Sequence, residues 1–152
     1  MDRIASFSID HTILPPGLYL SRRDKTTVTY DLRLVRPNTP PYLSNGALHT
    51  IEHLFATFAR NSGAGKDIIY FGPMGCRTGF YLVVDGLEPA AVIRLTAETF
   101  ARIAAFEGEI PGASAAECGN YLEHDLAGAK AEAQKYAEIL QDYPAERLAY
   151  PG

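Results

Sequence analysis

Thr27-Val28-Thr29-Tyr30-Asp31-Leu32-Arg33-Leu34-Val35-Arg36 alternates apolar and polar side chains. Val28, Tyr30, Leu32 and Leu34 fall on one side, and Thr27, Thr29, Asp31 and Arg33 on the other. Period two of this kind is a strand with one buried face. Upstream, Gly17-Leu18-Tyr19-Leu20 supplies a partner strand, joined through the polar Arg22-Arg23-Asp24-Lys25. Downstream, Pro37-Asn38-Thr39-Pro40-Pro41 stops the strand, because proline removes a ladder donor.

A helix follows, with Ser44 or Asn45 as its cap and Ser62-Gly63 at its end. Asp67 to Phe71 and Phe80 to Val84 read as two further strands around a glycine-rich loop, Gly72 to Gly79. Ala90 to Phe106 reads as a helix anchored by Val92, Leu95, Phe100 and Ile103, with Pro89 where a first turn tolerates it. A last helix runs from about His124 to Gln141. This order predicts an α+β fold, one compact domain over residues 1–152 with helices on one face of an antiparallel sheet.

Composition narrows the functional classes. The 152 residues are 47% hydrophobic and 21% charged, an ordinary globular balance for one domain. With 14 basic and 18 acidic residues the net charge is −4, which gives nucleic-acid binding little support. No apolar run reaches the ~20 residues of a membrane helix. Met1 to Ser6 lacks the apolar core of a signal peptide, so a cytoplasmic location is expected. In that compartment Cys76 and Cys118 are better read as metal-binding, catalytic or inert than as a disulfide.

The chemistry concentrates in His49-Thr50-Ile51-Glu52-His53, the pattern H-x-x-E-H. At about 100° per residue, with His49 at zero, His53 falls near 40° and Glu52 near 300°. Ile51, Leu54, Phe55 and Phe58 fall between about 140° and 240°, on the opposite side. The helix therefore buries one face and turns two imidazoles and a carboxylate into a second space. Solvated polar residues would give the same pattern, but Lys, Glu and Arg fill solvent faces at lower cost in helix propensity than histidine. A metal site is favoured.

Candidates for a third ligand are Cys76, Cys118, His11, His124 and the carboxylates. Cys118, in Glu117-Cys118-Gly119-Asn120, is far enough along the chain to return from another element. Two histidines and a thiolate leave a fourth position open, as in catalytic zinc sites. That donor set favours zinc, Fe(II) or Co(II) over magnesium or calcium. Glu52 is a candidate for moving a proton, or for orienting a histidine. Cys76 lies in a glycine-flanked loop beside Arg77, where positive charge favours the reactive thiolate; a small space-filling thiol is the alternative. Arg33 could hold an anionic substrate group or simply face solvent. By spacing, His11 reads as a surface histidine, and His124 has no evident partner.

Five segments together resemble the S-ribosylhomocysteine lyase family, which makes the precursor of the quorum-sensing signal autoinducer-2. They are Ser6-Phe7 with Asp10-His11, Asp31-Leu32-Arg33 with Pro37-Asn38, His49 to His53, Gly72 to Tyr81, and Glu117 to Tyr121. They occur in the family's order and cover nearly the whole chain. The resemblance implies a homodimer with active sites at the subunit interface. It implies His49, His53 and Cys118 as ligands of Fe(II), which zinc or Co(II) can replace. Glu52 and Cys76 are then the acid–base pair, and Ser6, His11 and Arg33 line the substrate pocket. The substrate is S-ribosylhomocysteine and the products are homocysteine and 4,5-dihydroxy-2,3-pentanedione, in signalling or in homocysteine recycling. Carbonyl migration along the ribose followed by β-elimination involves no net oxidation, so no organic cofactor is expected.

The chain departs from the family at Tyr70, where many members carry an acidic residue, and in a short Arg60–Lys66 segment. Two other readings compete. An H-x-x-E-H zinc peptidase predicts that Cys118 is dispensable for metal binding. A non-catalytic metal-binding module predicts that losing Cys76 or Glu52 leaves function intact.

Overall fold

The computed structural model describes residues 1–152. Four strands, β1 (Gly17–Asp24), β2 (Thr27–Arg33), β3 (Ile68–Pro73) and β4 (Gly79–Asp85), form one sheet in the order β1-β2-β4-β3. Every neighbouring pair is antiparallel. Three helices, α1 (Asn45–Arg60), α2 (Pro89–Ala104) and α3 (Leu126–Ile139), complete the α+β domain. No helix is long and apolar enough to cross a membrane.

Register carries the period-two pattern across the sheet. Leu18 pairs with Leu32, Tyr30 with Leu82 and Val28 with Val84, so the apolar rows of three strands coincide on one face. That face joins Ile51, Leu54 and Phe55 of α1, Val92, Phe100 and Ile103 of α2, and Ala133 and Tyr136 of α3 in one core. Aromatic rings tie the layers together. Phe55 of α1 stacks on Phe71 of β3 at 4.0 Å, and Phe71 stacks on Phe80 of β4 at 4.9 Å. Phe100 of α2 meets Tyr136 of α3 edge to face at 4.7 Å.

Element ends follow local chemistry. Ser44 caps α1 by accepting a hydrogen bond from the Ala47 amide, and Asp125 caps α3 by accepting from the Gly128 amide. α1 stops at Arg60, two residues before the expected Ser62-Gly63. α3 starts at Leu126, which leaves His124 outside the helix, in the segment that joins it to α2. β2 ends at Arg33, yet the Leu34 and Val35 amides both donate to the Thr78 carbonyl, at 2.9 and 3.1 Å. That pairing fixes the loop between β3 and β4 against the end of β2.

The outer face of the sheet is not simply solvated. Tyr19 and Asp31 are buried there, and the Tyr150 ring stacks on Tyr19 with centroids 4.9 Å apart.

Candidate active site

The segment between α2 and α3 folds back on α1. Its Asp125 amide donates to the Gly46 carbonyl and to Thr50 Oγ1, both on the first turns of α1. This docking carries Cys118 and His124 to the helix face that holds His49 and His53. One ligand atom from each of the four lies within 4.8 Å of every other. His124 stacks on His49 with centroids 4.0 Å apart, and His53 stands edge-on to both.

Tautomers can be read from the partners. His49 Nδ1 lies 2.9 Å from the Glu123 carbonyl oxygen, and His53 Nδ1 lies 2.9 Å from that of Pro111. A carbonyl oxygen only accepts, so each Nδ1 carries the proton and donates it. Each Nε2 is then left with a free lone pair, the form that binds a metal, held in orientation by a backbone carbonyl. Cys118 Sγ lies 3.4 Å from His49 Nε2. His124 Nε2 is shielded from solvent and has no partner in the chain. Burial, with His49 and His53 nearby, holds its imidazole below the usual histidine range. This donor set fits a borderline divalent ion.

Gly112 makes the geometry possible. Its φ is +70°, and a Cβ there would stand 3.3 Å from His53 Nδ1. Any other residue would strain the turn and crowd the ring beside its carbonyl partner.

A second constellation lies at the β2 end of the sheet. A cleft of about 700 Å³ is lined by Ser6, His11, Arg33, Cys76, Thr78 and Tyr81, among others. Cys76 is exposed, in the β3–β4 loop. Its cation is not its neighbour Arg77, which takes a φ of +60° and donates to the Leu43 carbonyl. Arg33 fills that place, with Nη1 4.0 Å from Cys76 Sγ and 2.8 Å from Thr78 Oγ1. Thr78 Oγ1 is 3.0 Å from the sulfur. Because Arg33 donates into that oxygen, the Thr78 hydroxyl hydrogen is free to point at Cys76. Two donors therefore face the sulfur, one a guanidinium and one a hydroxyl.

Arg33 is not a solvent-facing charge. It is 2% exposed, and Asp31, 0% exposed, accepts from its Nε at 3.1 Å and its Nη2 at 2.6 Å. Burial opposes the Arg33 charge, but the Asp31 carboxylate outweighs it and holds the guanidinium above its usual value. A smaller cleft of about 280 Å³ shares Ser6 and Tyr81 with the first and is lined also by the exposed Tyr70.

The sequence-derived residues thus divide into two groups. His49, His53 and Cys118 lie together, joined by His124. Ser6, His11, Arg33 and Cys76 share a cleft whose lining includes none of the four cluster residues. Glu52 belongs to neither; it is half-buried on α1 with no side-chain partner in the chain. His124, one of the third-ligand candidates but without an evident partner in the sequence, joins the cluster from a segment without periodicity that precedes α3.

A family model described as S-ribosylhomocysteinase (LuxS) matches residues 4–146. The chain belongs to the S-ribosylhomocysteinase family. Curated relatives agree over their full length. A protein named S-ribosylhomocysteine lyase from Desulfotalea psychrophila is 51% identical, covering 99% of this chain and 99% of its own. Those of the same name from Borreliella afzelii and Clostridium acetobutylicum are 49% and 45% identical, each covering 99% of this chain and 100% and 99% of their own. In this S-ribosylhomocysteinase family member the H-x-x-E-H helix and the Cys76 loop lie in separate constellations of the chain.

Proposed function

We propose that the protein cleaves the thioether of S-ribosylhomocysteine to homocysteine and 4,5-dihydroxy-2,3-pentanedione. Beyond family membership, one observation carries this reading: a thiol faced by a guanidinium and a hydroxyl, in a cleft lined by Ser6 and His11. The chemistry needs proton transfers and no net oxidation. The ribose carbonyl moves from C1 to C2 and then to C3, and each move takes a proton from one carbon and delivers it to the next. Cys76 Sγ and the Glu52 carboxylate are the groups we assign to these transfers. With the ketone at C3, loss of the C4 proton expels the homocysteine thiolate from C5.

His49, His53 and Cys118 would hold a divalent ion, with His124 beside them. Such an ion polarises a substrate carbonyl oxygen as a Lewis acid. Fe(II) is the expected occupant, and zinc and Co(II) suit the same donors. Arg33, Ser6 and His11 bind and orient the substrate. Tyr70, in the adjoining cleft, puts a phenol where an acidic relative would offer a carboxylate, so hydrogen bonding to the sugar there is by a single hydroxyl.

A homodimer reconciles the two separate constellations. Ile4 and Phe7, which flank Ser6, are 53% and 67% exposed, and Tyr121 and Leu122, on the segment carrying Cys118 and His124, are 42% and 80% exposed. Each half-site is thus edged by uncovered apolar surface. A second copy docked by these edges brings the cluster of one chain to the Cys76 cleft of the other, giving two composite sites. Thiol release from S-ribosylhomocysteine by anaerobically purified, metal-loaded protein tests the activity.

A further inference from the structure

Asp31 and Arg33 form a buried ion pair, and such a pair is weak evidence for stability. Desolvating two charges roughly offsets their attraction unless their remaining lone pairs and protons are satisfied. The remaining proton of Arg33 that matters here goes to Thr78, beside Cys76. The remaining capacity of Asp31 is met by Tyr150, whose hydroxyl donates to Asp31 Oδ2 at 2.7 Å. Tyr150 reaches β2 from a segment 119 residues away in sequence. It is positioned by stacking on Tyr19, whose own hydroxyl donates to the Pro15 carbonyl.

These contacts form one continuous chain: Tyr150 to Asp31, Asp31 to Arg33, Arg33 to Thr78, and Thr78 to Cys76. We infer that Tyr150 is a positioning residue for Cys76, acting through the Asp31–Arg33 pair. Its role has two parts, both of the same sign. By donating to Asp31, the phenol withdraws part of the carboxylate's negative charge, so more of the Arg33 charge is felt at the sulfur. By covering the pair, its ring excludes water that would screen that charge. The other titratable groups that line the cleft around the thiol are His11, Tyr42 and Tyr81, while Arg77 beside it turns to the Leu43 carbonyl. Only Tyr150 ties the electrostatics of the Cys76 cleft to the segment that follows Leu148.

The inference rests on the reading of Cys76 as a proton-transfer group, and its test is separable from that reading. The rate of Cys76 alkylation by iodoacetamide is followed against pH in the full-length, zinc-loaded protein, with peptide mass spectrometry to distinguish Cys76 from Cys118. Tyr150→Phe keeps the ring on Tyr19 and removes the donor. The pH of half-maximal alkylation should rise by about half a unit to one unit, a fraction of the ~1–2 units that a hydrogen bond to a charged group carries directly, because the effect reaches the sulfur through Asp31 and Arg33. Tyr150→Ala removes the cover as well and should raise it further, while Tyr150→Trp, which keeps a ring but does not reproduce the phenol, should behave like the Phe variant. Folded Phe and Ala variants with a wild-type profile would overturn the inference. An upward shift in a protein that releases no thiol from S-ribosylhomocysteine would leave the inference standing and sink the lyase reading instead. In an active protein, Tyr150→Phe should lower kcat several-fold at pH 7 with little change in KM, and raising the pH should restore most of the loss; an equal loss at every pH would mark a merely structural role.

Discussion

The guanidinium of Arg33 stands 4.0 Å from the sulfur of Cys76 across 43 residues of sequence. The sheet makes the meeting possible. Arg33 pairs with Gly79 at the last rung of β2 and β4, and the loop before Gly79 carries the cysteine back over the strand end. Arg33 therefore has two jobs, one toward Asp31 and one toward the thiol. Arg33→Met should leave Asp31 as an unpaired buried carboxylate and cost about 3–5 kcal/mol of stability. Urea or guanidinium denaturation measures this. A loss below about 1 kcal/mol would mean that water reaches the pair more freely than its burial implies.

Cys76 itself is exposed and holds nothing together. Cys76→Ala should change stability by less than about 0.5 kcal/mol, keep its metal and lose thiol release. Elemental analysis beside an activity assay separates the two effects. Near-normal turnover would remove Cys76 from the proton-transfer role.

The four-residue cluster makes graded predictions for metal binding. His53→Ala should lose both metal and turnover, because its Nε2 is aimed by the Pro111 carbonyl at the other donors. His124→Ala should weaken affinity by about 10–100-fold, the usual cost of losing a group that borders the ligands. Competition with a chromophoric chelator reads both. Equal metal affinity in all three proteins would place the ion elsewhere.

Gly112→Ala tests the support of His53. The +70° φ and the 3.3 Å approach to His53 Nδ1 should cost about 1–3 kcal/mol and weaken metal binding together. A fully stable variant with normal metal content would show that the loop adjusts freely.

Alkaline pH should unfold the protein through its tyrosines. Burial, with Tyr143 nearby, pushes Tyr19 from 10.0 up to about 12, and burial also raises Tyr136, Tyr143 and Tyr150. Tyr136 and Tyr143 donate to the Gly17 and Leu18 carbonyls on β1, bonds that an ionised phenol cannot make. A folded value above the unfolded one means stability that is full below pH 10 and is lost as pH rises through about 12. Tyrosinate absorbance and circular dichroism should therefore change together in that window. Ionisation of every tyrosine ahead of unfolding would contradict the burial of this group.

The sheet was legible because its inner face is built on strict alternation, and α1 because its apolar and polar residues divide into two faces. His49, His53 and Cys118 could be singled out from donor chemistry, since histidines four apart on a helix share a face. His124 stood among the third-ligand candidates but could not be placed, because its position depends on the Asp125 amide docking on α1, a contact between distant segments. The burial of Asp31 and Arg33 was hidden for a similar reason. Alternation marks the outer face of β2 as polar, but only the fold brings Tyr150 across to cover it. The same limit explains why Arg77, adjacent in sequence, suggested itself as the partner of Cys76 when Arg33 holds that position.

The proposed composite site between two chains has a direct test by subunit mixing. Cys76→Ala and His53→Ala chains, each inactive alone, should recover roughly a quarter of wild-type turnover when co-refolded in equal amounts, one competent site in half of the dimers. No recovery would mean that both constellations act within a single chain.

Central to the account is metal-dependent thiol release. Protein prepared without oxygen and loaded with Fe(II) or Co(II) is mixed with S-ribosylhomocysteine, and free homocysteine is followed with a thiol reagent. The account predicts steady release that chelation abolishes and that Cys76→Ala lacks. No release from fully metallated wild-type protein, or equal release from the Cys76→Ala protein, would contradict it.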